Sequence, residues 1–350
     1  MTSTADRPDL VEDVENRLRL VGRDVRRAML DAIPDGEPVQ WLYAPMREYP
    51  MRPSKALRPA LCLSSGRCFG ADSSALTGIA VAIELLHNAF LVHDDIADGS
   101  EMRRGRPTLM AAYGTAAALN AGDALAIVAS QVLRRATRQL DRGLAEQVMT
   151  EFDTMALRTL EGQATELGWQ LDNVENLTPS DYLDLIMHKT CWYTTIYPLR
   201  VGALVGSNGT AELAPLIRFG FHFGAAFQIR DDLLNLIGEE KTYGKEILGD
   251  LYEGKRTLTL VHLLDVARGR DRAVLRDYLR CDRADRDETM VHKVRSLMDD
   301  YGSIAFTREY AEGILVVAEE YFEQAFADAR PGPDLDFLRA LVPYVWARWR

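Results

Sequence analysis

The chain has 350 residues, 47% of them hydrophobic, which supports a sizeable buried core and excludes global disorder. Its 41 basic and 52 acidic side chains leave a net charge of −11, so general nucleic-acid binding, which needs a basic surface, is disfavoured. A phosphate ligand stays open, because phosphate sites rest on local cations rather than on net charge.

The first residues, Met1-Thr2-Ser3-Thr4-Ala5-Asp6-Arg7-Pro8, contain no apolar leader core. Residues 1–15 are expected to be loose and residues 16–350 to form one domain. Pro34-Asp35-Gly36-Glu37-Pro38 and Tyr49-Pro50-Met51-Arg52-Pro53 mark a long N-terminal loop. Residues 75–93 (ALTGIAVAIELLHNAFLVH) are apolar on most sides and read as a central buried helix. The breaker Gly105-Arg106-Pro107-Thr108 follows, and further helices are expected over 116–140, 144–167 and 180–206, the last with Asp181 near its start. After the turn Ser207-Asn208-Gly209 come helices over 212–237, 257–268, 286–300 and 304–328. Arg330-Pro331-Gly332-Pro333 then precedes a short C-terminal helix.

No hairpin dipeptide lies between alternating apolar runs, so strands should be nearly absent. No Gly/Ser linker, charge block or repeat divides the chain, and no segment reaches the roughly 18 uninterrupted apolar residues of a membrane span. The expected architecture is a large single-domain all-α bundle around a central cavity. Cys62, Cys68, Cys191 and Cys281 are scattered and match no zinc spacing, which fits free thiols in a reducing, cytoplasmic compartment.

Two acidic clusters stand out. His93-Asp94-Asp95-Ile96-Ala97-Asp98 is followed by Arg103-Arg104-Gly105, and Asp231-Asp232-Leu233-Leu234-Asn235 lies in a second apolar run. On a helix, Asp94 and Asp98 stack one turn apart, and Asp95 sits about 100° around from Asp94. Such carboxylates repel each other unless a cation lies between them. Oxygen-only donors at that spacing suit Mg²⁺, which keeps waters and takes one or two carboxylates plus phosphate oxygens. Asp231 and Asp232 supply a second pair, with Asn235 offering a neutral oxygen at the matching i+4 position. The plainer reading of either cluster is a solvated helix end. His93, Gln228, Arg230 and the apolar flanks favour metal ligation by Asp94, Asp95, Asp98, Asp231 and Asp232.

The segment DDIADGSEMRRGRPT resembles the first aspartate-rich motif of the trans-isoprenyl diphosphate synthases (polyprenyl synthetases), of geranylgeranyl or farnesyl diphosphate synthase type. GAAFQIRDDLLN resembles their second motif, and the likeness runs over residues 50–260. It implies an all-α isoprenoid synthase fold around a deep cavity, three Mg²⁺ between the clusters and an allylic diphosphate, condensation with isopentenyl diphosphate, and a homodimer. Ser54-Lys55-Ala56-Leu57-Arg58-Pro59 resembles the GGKRLRP segment of the family, with Pro53-Ser54 in place of its paired glycines. By the resemblance, Lys55, Arg58, His87 and Arg104 hold the isopentenyl diphosphate, and Arg103, Lys189, Thr190, Gln228, Lys245 and Lys255 hold the allylic diphosphate. Arginine forks and lysine point charges suit such ligands. Gly162-Gln163, with Glu166 in support, matches a family pair. Gly244-Lys245 and Gly254-Lys255-Arg256-Thr257 resemble a closing segment whose glycines give it freedom to move.

The implied reaction ionises the allylic C–O bond, lets the isopentenyl double bond attack the cation, and loses a proton to the departed diphosphate. Asp94, Asp98, Asp231, Arg103, Lys189 and Lys245 would carry it. No serine, cysteine or histidine constellation offers a nucleophile, so catalysis would rest on charge stabilisation and positioning. Ala89 and Phe90, just before Asp94, are placed to set chain length, with Leu85 and Leu86 a turn deeper. Geranylgeranyl diphosphate is expected ahead of farnesyl diphosphate. A class I terpene cyclase or a non-catalytic regulatory subunit of the same fold are the alternatives. The first would have no use for Lys55, Arg58, His87 and Arg104, and the second tends to lose the aspartates that are present here.

Overall fold

Leucine, alanine and charged residues at helical spacing fold most of the described residues, 8–71, 73–238 and 247–347 of this computed structural model, into α-helix. The fold class is all-α, as the sequence predicts. The described residues fall into two compact units by contact, one within residues 1–156, 193–220 and 319–350 and the other within 157–192 and 221–318.

In the first unit, α1 spans Pro8–Ala32, so residues 8–15, expected to be loose, are helical. Its buried stripe of Val14, Leu18, Val25 and Met29 follows the i, i+4, i+7 spacing of a core face. Arg17 pairs with Asp334 and donates to the carbonyl of Pro333 at 2.8 Å, which ties α1 to the C-terminal helix. The expected N-terminal loop instead holds a π-helical turn, Val39–Tyr43, and the helix α2, Ala44–Met51. Next comes α3, Leu57–Cys68, whose Pro59 falls in the first turn, where no intrahelical N–H is needed. The predicted central helix is α4, Ser73–Ala97, and it packs against α6, Thr115–Thr137.

Between α4 and α6 lie the strand pair Met102–Arg103 and Arg106–Pro107 and the short α5, Leu109–Tyr113. The pair is a hairpin that the sequence reading missed. Its turn residues, Arg104 and Gly105, have φ of 53° and 71°, the left-handed values that a type I′ turn demands.

After α7, Arg142–Leu171, Thr178 and Asp181 of the second unit form a reciprocal capping box that starts α8, Pro179–Ile186. The helix expected over 180–206 changes register: Met187–Ile196 is π-helical, and α9, Tyr197–Gly206, which follows it, belongs to the first unit. Pro198 has no N–H to continue an α-helical ladder, and π-helical stretches gather at functional sites. Ala214–Ile237 (α10) carries the second acidic cluster. Gly249–Glu253 (α11), Leu258–Val266 (α12), Gly269–Arg280 (α13) and Glu288–Asp300 (α14) follow, and Tyr278 donates to the carbonyl of Leu251 at 2.6 Å. The charge-dense α13 is another helix not expected from the sequence.

Leu76–Ala97 and Thr115–Thr137 are long and apolar enough to cross a membrane by length and composition. Leu76–Ala97 is 72% buried within the protein, as the core helix of a globular unit is. Cys62, Cys68 and Cys191 are buried, and burial pushes the Cys62 thiol up to about 12, which makes it an inert core group.

Candidate active site

Helix α4 delivers the first cluster at its C-terminal end. Asp98 lies one residue beyond the helix, yet its N–H still donates to the Asp94 carbonyl at 2.8 Å, so the i, i+4 stacking holds. Asp94 and Asp98 are half-buried, whereas Asp95 is 1% exposed. Both Asp95 oxygens are engaged: the Tyr49 hydroxyl donates to Oδ2, and Arg103 presents Nε at 2.6 Å and Nη2 at 2.5 Å to Oδ1. The Arg103 fork is therefore spent on Asp95. Burial disfavours its charge, but Asp95 outweighs that and raises its pKa. Burial and the neighbouring Asp95 likewise push the Tyr49 hydroxyl upward, so it stays a donor.

Beside the hairpin lies a crowd of arginines. Arg58 donates Nη2 to the Thr194 hydroxyl at 2.8 Å and lies over the Tyr193 ring at 4.3 Å. The buried His87 stands 5.8 Å from the same ring. Arg104, at the hairpin turn, is pushed down to about 10 by burial, with Glu84 opposing that shift and Arg103, Arg58 and Arg52 adding to it. Glu84 opposes the three arginines around Arg104, and Ser54 donates to it at 3.3 Å. The buried Nε of Arg58 and Oε2 of Glu84 have no hydrogen-bond partner among the described residues. Buried positive charge in excess of its carboxylates suits a multivalent anion. Lys55 is exposed. Ala89 is fully buried, and Phe90 is half-buried with its ring edge-on to Tyr193 at 5.7 Å.

Helix α10 repeats this arrangement in the second unit. Asp232 is buried, with Oδ2 accepting from the Tyr182 hydroxyl and Oδ1 from Gln228 Nε2, both at 2.7 Å. Burial pushes the Asp232 carboxyl up to about 6, helped by Asp231 and Glu166 and opposed by the two hydrogen bonds. Asp231 is half-buried. Asn235 is not placed as a spare metal ligand: its Oδ1 accepts from the Asp250 N–H at 3.0 Å and its carbonyl from the Leu248 N–H at 2.8 Å.

Lys189 and Thr190 sit in the π-helical stretch, with Thr190 buried and Lys189 paired to Glu166. Gly162 makes that pairing possible, because a Cβ there would meet the Lys189 backbone nitrogen at 2.2 Å. Lys255 pairs with Glu253 at 2.6 Å. Gly254 is not a freely moving glycine: it caps α11 at φ +72°, and a Cβ there would meet Arg286 Nη2 at 2.4 Å. Lys245 and Gly244 lie outside the described residues. Sequence reasoning missed Tyr49, Tyr182, Tyr193 and Glu84, whose relevance comes from contacts across the fold.

Among the described residues, no three His, Cys, Asp or Glu side chains form a ready-made metal cage. Mg²⁺ does not require one, since waters and ligand phosphates complete its shell. The half-buried hard oxygens of Asp94 and Asp98 in the first unit suit such an ion, as does, taken by itself, the half-buried carboxylate of Asp231 in the second.

The polyprenyl synthetase family model matches residues 39–298. The chain is 32% identical over 271 residues to the short chain isoprenyl diphosphate synthase of Methanothermobacter thermautotrophicus, covering 77% of this chain and 80% of that one. The crystal structure of geranylgeranyl pyrophosphate synthetase from Pyrococcus horikoshii is similar with a TM-score of 0.83 and 30% identity, covering 95% of this chain and 98% of that one. Polyprenyl synthase from Caulobacter crescentus, solved with calcium and isoprenyl diphosphate, is similar with a TM-score of 0.80 and 25% identity over 99% of both chains.

Proposed function

This chain belongs to the polyprenyl synthetase family and is a trans-prenyltransferase of the isoprenyl diphosphate synthase kind, and on that premise we propose that it condenses isopentenyl diphosphate with an allylic diphosphate in a Mg²⁺-dependent reaction whose main product is geranylgeranyl diphosphate. One observation carries the choice of substrates: Arg103 and Arg52 already pair with Asp95 and Glu48, while Arg58 and Arg104 stand together beside Glu84, with the buried Nε of Arg58 lacking a hydrogen-bond partner among the described residues. That excess charge supports an isopentenyl diphosphate subsite, completed by Lys55 and His87.

For the allylic diphosphate we assign Asp94, Asp98 and Asp231 as ligands of up to three Mg²⁺. The calcium and isoprenyl diphosphate held by the Caulobacter relative support divalent metal use. Bound Mg²⁺ would neutralise charge on the leaving diphosphate. Asp95 and Asp232, grouped with the ligands on sequence grounds, are assigned instead as anchors, because both oxygens of each are already hydrogen-bonded within the protein. Arg103 and Gln228 then orient Asp95 and Asp232 as well as standing near substrate. Lys189, Thr190, Lys255 and Lys245 are assigned to the allylic diphosphate. Phe90 and Ala89 limit chain growth. We assign the protein to the cytoplasm as a homodimer.

Incubating purified protein with Mg²⁺, labelled isopentenyl diphosphate and dimethylallyl, geranyl or farnesyl diphosphate tests this reading. Geranylgeranyl diphosphate should form from each starter. A cyclic hydrocarbon made without isopentenyl diphosphate would replace it with a terpene cyclase.

A further inference from the structure

The family's paired glycines are replaced here by Pro53-Ser54, and the residue just before them is a buried arginine. Arg52 is 4% exposed. Its Nη1 donates to the Arg103 carbonyl at 2.9 Å and its Nη2 to the Pro107 carbonyl at 2.7 Å. The fork thus grips both strands of the hairpin on either side of Arg104-Gly105. Its guanidinium lies 4.5 Å over the Tyr49 ring, and its one ion-pair partner among the described residues, Glu48, is 3.7 Å away.

A two-stranded hairpin of this size has little stability of its own. Asp95 ties down the Arg103 side chain, but Arg104, at the turn, depends on where the backbone is held. We propose that Arg52 is a positioning residue for the isopentenyl diphosphate subsite: its fork holds the hairpin and so sets where Arg104 stands. This inference rests on the function proposed above for Arg104. A planar fork spans two carbonyls at once, which a lysine ammonium on a flexible stem does not.

The test uses the full-length Arg52→Met, Arg52→Lys and Arg104→Met proteins and the Arg52→Met/Arg104→Met double variant. Arg52→Met and Arg52→Lys should each raise the KM for isopentenyl diphosphate by about tenfold or more, the scale of a misplaced binding group, with kcat changed far less. The double variant should be no worse than Arg104→Met alone. Hydrogen exchange over residues 101–108 should be faster in both Arg52 variants, with exchange over Leu258–Val266 unchanged as the control for folding. If Arg52→Met does not fold, Arg52→Lys carries the same readings. Effects of Arg52→Met and Arg104→Met that multiply in the double variant, or wild-type exchange over 101–108, would overturn the proposal. Wild-type protein that does not consume isopentenyl diphosphate would defeat the assigned function, while exchange would still report whether Arg52 holds the hairpin.

Discussion

Tyr182 donates its hydroxyl hydrogen to Oδ2 of Asp232 at 2.7 Å, and in the other unit Tyr49 does the same for Asp95. Each acidic pair thus has a buried member locked by a tyrosine and a half-buried neighbour, Asp231 or Asp94, assigned to the metal. Tyr182→Phe and Tyr49→Phe each strand a buried carboxylate oxygen. Each should cost about 1–3 kcal/mol in denaturant unfolding. Each should also lower Mg²⁺-dependent turnover by about 10–100-fold, as lost supporting partners of metal ligands do. Variants with wild-type stability and an unaltered Mg²⁺ titration would refute the anchor role.

The assigned ligands should behave differently. Asp94→Ala or Asp231→Ala should reduce turnover by several orders of magnitude and leave the circular dichroism of the helices intact, because both groups are half-buried. Near-normal turnover in either would remove it from the metal site.

The Lys189–Glu166 pair separates stability from binding. Lys189→Met leaves a mostly buried carboxylate without its partner and should destabilise by about 3–5 kcal/mol. Adding Glu166→Leu should restore much of that stability but none of the affinity for the allylic diphosphate. Recovery of both together would mean that Lys189 serves only to neutralise Glu166.

Phe90→Ala should lengthen the product, since the ring is half-buried and lies edge-on to Tyr193. Chain-length analysis of the dephosphorylated products reads this directly. An unchanged product would make Phe90 a packing residue.

Much of this was legible in the sequence, and the exceptions have physical causes. Helix α4 was visible because it is apolar on most sides, whereas α1 and α13 were hidden by the charges that flank their narrow buried stripes. The hairpin of Arg103-Arg104 is too short to show alternation. Hydrophobic spacing over Met187–Ile196 does not distinguish an α- from a π-helix. The acidic clusters themselves stood out by residue type and spacing. Which aspartate of each pair is buried did not, because the deciding tyrosines lie 46 and 50 positions away in the chain. Asn235 matched the ligand spacing but is taken by the backbone of Asp250, a contact that no local pattern announces.

The most direct test of the central claim is the stoichiometry of diphosphate release by purified protein given farnesyl diphosphate and isopentenyl diphosphate. The account predicts one diphosphate released for each isopentenyl unit incorporated into geranylgeranyl diphosphate, with both halting when Mg²⁺ is chelated and resuming when it is restored. Diphosphate released from the allylic substrate alone, with isopentenyl diphosphate unconsumed, would contradict it.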